Sequence, residues 1–190
     1  MVIRALFVAG LILAPVMASA QEAPPAVPET KQAQLDRLFD QLKAAKDKPE
    51  ADSIGGQIER IWLRSGSDTV DLLMKRATQA AEANQQDVAL DLLDSILALK
   101  PDWAEGWNRR ATLDFIRKDL DASVRDIAAV LEREPRHYGA WSGLGVIYLQ
   151  VNNKKQALAA FKRALEINPQ LENAKEAVQK LTKEVDGNPI

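Results

Sequence analysis

The sequence predicts an all-α fold: a solenoid of stacked helix–turn–helix units, with a helical hairpin before it and a capping helix after it. Two observations predict this. Pro101, Pro135 and Pro169 stand 34 residues apart, twice over, and each closes a similar phrase: LALKP, LEREP and LEINP. Ahead of each proline lie two segments whose apolar residues recur at helical spacing, joined by a short polar turn. The composition fits a chain with a core: of 190 residues, 46% are hydrophobic and 27% charged, the balance of a globular protein rather than a disordered one.

The first 20 residues stand outside that pattern. MVIRALFVAGLILAPVMASA carries one charge, Arg4, before an apolar run that ends in Ala18-Ser19-Ala20. A short positive start, an apolar stretch of roughly 7–15 residues and an A-x-A end describe a cleavable secretory signal peptide. The run is shorter than the about 20 residues a membrane span requires. Cleavage removes Arg4 and moves the formal net charge from -2 to -3. The expected destination is the periplasm, with secretion to the medium as the alternative. The chain has no cysteine, so disulfides, thiol nucleophiles and thiolate metal sites are absent together. Neither the small net charge nor any run of lysine and arginine points to nucleic acid.

Residues 21–31, QEAPPAVPETK, hold three prolines and no apolar period, and read as a disordered or extended tether. Residues 32–66 read as a helical hairpin. Leu35, Leu38, Phe39, Leu42 and Ala45 form one stripe, Ile54, Ile58, Ile61 and Trp62 a second, and Asp47-Lys48-Pro49 separates them. Ser65-Gly66-Ser67 then supplies a helix stop and a new N-cap at Ser67. Gly55-Gly56 inside the second helix costs about 1 kcal/mol per glycine against alanine, which points to a close crossing by another helix.

Residues 67–169 hold three repeat units. The paired segments are Val70–Glu82 with Asp87–Lys100, Ala104–Ile116 with Leu120–Glu134, and Tyr138–Gln150 with Lys154–Asn168. In the third, Trp141, Leu144, Gly145 and Tyr148 recur on one face, as do Ala157, Phe161 and Ala164, with Asn152 and Asn153 at the bend. Each closing proline ends its helix by clashing with a further turn. Residues 170–186 carry a stripe at Leu171, Ala174, Val178, Leu181 and Val185 opposite a charged face, the pattern of a terminal cap, and 187–190 read as a disordered tail.

At these residues the chain resembles the tetratricopeptide-repeat (TPR) family, whose unit runs W-x2-L-G-x2-Y, then A-x3-F-x2-A, then P. Trp141, Leu144, Gly145, Tyr148, Ala157, Phe161, Ala164 and Pro169 match at every position. The second unit keeps Trp107, Ala111, Ser123, Ile127 and Pro135 and departs at Arg110, Asp114 and Val130; the first keeps Ala77, Ala89, Leu93 and Pro101, with Leu73 for the tryptophan. The resemblance implies a right-handed α-solenoid and binding of a protein or peptide on its concave face. It implies that the N-terminal hairpin is a degenerate repeat, although Lys43 and Trp62 occupy its slots for small residues. The layout is also similar to that of small periplasmic TPR proteins of alphaproteobacteria, which implies a role in cell-envelope integrity.

No catalytic set emerges. His137, the one histidine, sits in the turn after Pro135, where a solvated side chain is expected, and the carboxylates lie opposite the apolar stripes. No phosphate loop, calcium loop, metal site or cofactor is expected. Arg110 and Asp114, four residues apart, can pair with each other or serve a seam between neighbouring helices. The groove residues that the repeat implies are Met74 and Thr78 from the first unit, Asn108, Arg109, Thr112 and Phe115 from the second, and Ser142, Val146 and Leu149 from the third. Met74 and Thr78 stand where the family's chaperone-tail clamp needs lysine and asparagine, which disfavours an acidic-tail ligand. Two functions fit: a scaffold or adaptor that grips a peptide or helix of an envelope protein, and a dedicated subunit or assembly factor of one envelope machine, such as murein remodelling, secretion or cytochrome maturation.

Overall fold

Local sequence signals place the helices. The computed structural model describes residues 29–185; the expected signal peptide, the first part of the tether and the tail lie outside them. Nine α-helices occur among the described residues: α1 Lys31–Ala44, α2 Lys48–Trp62, α3 Asp68–Glu82, α4 Gln86–Leu99, α5 Ala104–Ile116, α6 Leu120–Arg133, α7 Tyr138–Gln150, α8 Lys154–Ile167 and α9 Glu172–Val185. The carboxylates of Asp47 and Asp119 and the side-chain oxygens of Thr30 and Asn153 accept backbone N–H bonds as N-caps of α1, α2, α6 and α8. Ser67 stands at the N-cap of α3 without making the side-chain bond; Ser65 instead donates its N–H and its hydroxyl to the Asp71 carboxylate and accepts the Ser67 N–H on Oγ.

The three units are α3–α4, α5–α6 and α7–α8, and they stack in chain order into an all-α solenoid. Each unit turns at the same repeat position through a left-handed residue: Asn84 at φ 58°, Lys118 at φ 67° and Asn152 at φ 58°. The next amide closes each turn, Gln85 N–H to Ala80 O, Asp119 N–H to Asp114 O and Asn153 N–H to Tyr148 O, at 2.8–2.9 Å. Within the third unit, a Cβ on Gly145 would lie 2.8 Å from the Phe161 ring, so only glycine lets α7 and α8 approach this closely. The indole N–H groups of Trp107 and Trp141 donate back to the carbonyls of Pro101 and Pro135, at 2.9 and 3.0 Å, and fasten each unit to the turn before it. At the far end α9 buries Ala174 and Leu181 against Ala157, Leu158, Phe161 and Ala164 of α8.

The hairpin α1–α2 does not stack on α3 as a degenerate repeat would. Its core joins Leu35, Leu38, Phe39, Leu42, Ile54, Ile58 and Trp62 to Tyr138, Ile167 and Leu171, and holds no residue of α3 or α4. The hairpin lies along the edge of the solenoid and touches both inter-unit turns and the turn before α9. Trp103 donates its indole N–H to the carbonyl of Trp62 at 2.7 Å. His137 stacks on the Trp62 ring, centroids 4.3 Å apart and planes 7° from parallel. Arg136 pairs with Asp36 at 2.6 Å and lies over the Phe39 ring, and Gln170 donates to the carbonyl of Ala45 at 3.1 Å. Trp103, His137 and Leu171 are the same repeat position in successive units, so the repeat itself supplies a docking ladder. Gly55 explains the glycine pair: a Cβ there would meet the Tyr138 hydroxyl at 3.0 Å, so the close crossing is made by the start of α7.

Candidate functional site

The first helices of the units, α3, α5 and α7, line the concave face, and the structure divides that face into three hollows. An apolar hollow of about 200 Å³ lies between α5 and α7 and is lined by Ala111, Thr112, Phe115, Ile127, Gly143 and Val146 among others. A polar cleft of about 430 Å³ lies beside it, bounded by Glu59, Trp62 and Leu63 at the end of α2 and by the first turns of α5 and α7. The two share Asn108, Thr112 and Gly139 and so run into one another. A third, of about 120 Å³, lies between α3 and α5 at Met74, Thr78 and Ile116.

The residues expected from the repeat fall at different depths. Val146 and Leu149 are exposed on α7, and Val146 borders the apolar hollow. Phe115 is half-buried: it packs against the core of Ala111, Ile127, Val130, Ala140 and Ile147 and also lines the hollow. Thr78 and Thr112 are exposed, with their hydroxyls donated to the carbonyls of Met74 and Asn108 one turn back. Two residues are largely buried. Met74, 8% exposed, belongs to the core of the first unit, and Ser142, 6% exposed, accepts a bond from Asn173 of α9 at 3.0 Å. The capping helix reaches across the third unit and covers this serine, which a count along α7 alone does not reveal.

The polar members are held by Glu105. This carboxylate, 4% exposed, accepts from Arg109 Nε at 2.6 Å and from Asn108 Nδ2 at 3.1 Å, and stands 3.5 Å from His137 Nε2. Burial alone would raise its pKa, but the bond from His137 and the charge of Arg109 outweigh burial and hold it below the ordinary glutamate value. Arg109 and Asn108 are therefore occupied from within. The i,i+3 and i,i+4 spacing of Glu105, Asn108 and Arg109 was the signal for it.

His137 is not the solvated turn residue its position suggested. It is 5% exposed, and its Nδ1 accepts the Ala140 N–H as the N-cap of α7. An accepting Nδ1 places the proton of the neutral ring on Nε2, facing Glu105. Trp62 covers the ring from the hairpin side, and its own indole N–H is buried without a partner among the described residues.

Arg110 and Asp114 do not pair with each other. Arg110 reaches across the stack, donating Nε and Nη2 to Asp126 of α6 at 2.7 and 2.9 Å and Nη1 to Asp94 of α4 at 2.6 Å. It ties three helices at the seam, and these charge-assisted bonds raise its pKa still further. Asp114 is buried next to Asp126, and burial first, then that neighbouring charge, push its carboxyl up.

Comparison with known proteins follows this geometry. A tetratricopeptide-repeat family model matches residues 138–171, the third unit and the turn that follows it. A TPR repeat-containing protein of Rhizobium etli is 46% identical over 154 residues, covering 81% of this chain and 76% of that protein. The chain belongs to the tetratricopeptide-repeat family. Solved TPR structures share its fold at lower identity. The first TPR of Spaghetti (RPAP3), bound to the HSP90 peptide SRMEEVD, superposes with a TM-score of 0.58 at 17% identity, over 62% of this chain and 94% of that one. YrrB, described as a TPR protein with an unusual peptide-binding site, gives 0.55 at 23% identity, over 77% and 71%. The TPR fold makes this chain a protein- or peptide-binding module. No helix among the described residues is long and apolar enough to cross a membrane.

Proposed function

We propose that this TPR protein is a periplasmic scaffold or adaptor that binds a peptide or helix of an envelope protein in its concave groove and so supports cell-envelope integrity. One observation carries the groove reading: the apolar hollow between α5 and α7, lined by Ala111, Phe115, Gly143 and Val146, lies open beside exposed Thr112. Apolar surface left concave and open, with polar groups at its rim, is what a partner's side chains displace water from. Peptide binding by TPR relatives of the same fold supports the reading. The signal-peptide pattern of residues 1–20 supports the compartment. A binding role without catalysis fits a groove whose polar side chains, Arg109, Asn108 and Glu105, are engaged with one another.

The test is site-specific crosslinking in living cells. A photo-activatable residue at Thr112 is expected to capture a discrete partner recovered from the periplasmic fraction, whereas the same residue at Arg125, exposed on α6, captures none. Crosslinks at Arg125 but not at Thr112 would remove the groove from the proposal. Recovery of the protein only from the cytoplasmic fraction would remove the periplasmic part.

A further inference from the structure

We propose that the α1–α2 hairpin is the third wall of the binding groove and sets its specificity: the site takes a peptide that places an apolar side chain in the Phe115–Val146 hollow and a lysine or arginine beside Glu59. The inference rests on the groove reading above and adds to it the partner's chemistry.

Three observations carry it. The wall is fixed in place. The last turn of α2 is held to the inter-unit turns by the Trp103–Trp62 hydrogen bond and the Trp62–His137 stack, so Glu59 and Leu63 hold set positions over the groove. The wall is also continuous with the apolar hollow, because Asn108, Thr112 and Gly139 line both spaces. A residue seated in the hollow therefore has its chain neighbours beside α2.

The third observation is charge. Three ionised groups border the cleft: Glu59, Glu105 and Arg109. Arg109 is matched by Glu105 at 2.6 Å. Glu59 is exposed and forms no ion pair among the described residues. Glu59 is therefore the carboxylate of the cleft without a counter-ion among the described residues, while Glu105 is bonded by Arg109 and faces His137. It lies next to Tyr138, whose hydroxyl is held neutral by burial and by the nearby Glu59 and Asp52 carboxylates. A partner cation there gains an ion pair without displacing an internal one; a partner anion meets Glu59 unopposed.

The experiment is selection of a displayed random-peptide library on the full chain and on two variants, E59K and V146D. Wild type is expected to enrich peptides that combine an apolar residue with lysine or arginine. E59K is expected to lower the frequency of basic residues among selected peptides by about three- to tenfold, the size of one partly screened ion pair made and then reversed, while keeping the apolar residue. V146D is expected to lose enrichment altogether. A basic preference unchanged in E59K, or absent from wild type, overturns the third-wall inference and leaves the groove reading standing. No enrichment by wild type, or full enrichment by V146D, overturns both. Position 59 is exposed and an unchanged far-UV circular dichroism melt shows that E59K is folded, so the comparison reads specificity rather than stability.

Discussion

Glu105 and Arg110 sit about one turn and a half apart on α5, and each forms a charged junction: Glu105 gathers Arg109, Asn108 and His137, and Arg110, at the slot where the repeat usually carries leucine, joins Asp126 and Asp94. Glu105 holds its carboxyl below the ordinary value of 4.5 in the folded chain. A depressed carboxyl contributes stability that is present above the unfolded value and lost as pH falls through the folded one. E105Q is therefore expected to cost about 1.5–3 kcal/mol at neutral pH, the worth of hydrogen bonds to a charged group. The gap between wild type and variant should close as pH falls below about 4.5, and urea midpoints across pH 3–7 measure it. Arg110 pairs with Asp126, whose side chain is 7% exposed, and its truncation strands that carboxylate. R110A is expected to cost about 2–4 kcal/mol in chemical unfolding, several times the effect at an exposed pair such as Lys48–Asp52. A loss below about 0.5 kcal/mol would mean that the seam does not depend on the arginine.

At the scale of the helices, the regular features are those the sequence displays most openly. Stripes, caps and prolines are short-range signals, and the six repeat helices begin and end within two residues of where those signals place them. The intra-unit turns show one compromise. Asn84 and Asn152 suit a left-handed residue, whose backbone an asparagine side chain tolerates, but Lys118 occupies the same position at φ 67°. K118N is expected to raise the unfolding free energy by about 0.5–1 kcal/mol, read as a higher urea midpoint at unchanged slope, because the lysine carries part of the left-handed penalty. The position of the hairpin was also partly legible. Where α5 and α7 bury Leu113 and Ile147 against the preceding helix, α3 exposes Gln79. Where they place Gly106 and Ala140 in that contact, α3 carries Leu72, 51% exposed. A degenerate repeat stacked on α3 would bury that glutamine and clash with that leucine, so the face of α3 was already unsuited to one.

Over the whole molecule, the hairpin changes how the repeats depend on one another. In a bare solenoid each unit meets only its neighbours, and stability is a sum of local terms. Here one element bridges Trp103, Arg136, His137 and Gln170, residues of three successive turns. W62A removes the ring that packs on Phe39, His137 and Tyr138, leaves the carbonyl that Trp103 bonds, and is expected to cost about 3–5 kcal/mol. It should also raise amide exchange at the starts of α5 and α7 together with that of α1 and α2, as read by hydrogen exchange. Faster exchange confined to α1 and α2 would show that the hairpin rides on the solenoid without bracing it.

The sequence by itself determined the repeat: its 34-residue period, the helix pairs, the short polar turns between them, the small residue at Gly145 and a set of first-helix residues that includes Thr112, Phe115 and Val146. These follow from backbone sterics and helical periodicity, which act over a few residues and recur visibly. Only the tertiary structure decided that Arg110 pairs across the seam rather than along its own helix, that His137 is buried under Trp62, that α9 covers Ser142, and that the end of α2 borders the polar cleft. Each of these joins segments distant in the chain; Asp36 and Arg136 are 100 residues apart. No local pattern encodes which of several available partners a side chain meets, because that choice is made by the packing of whole helices against one another.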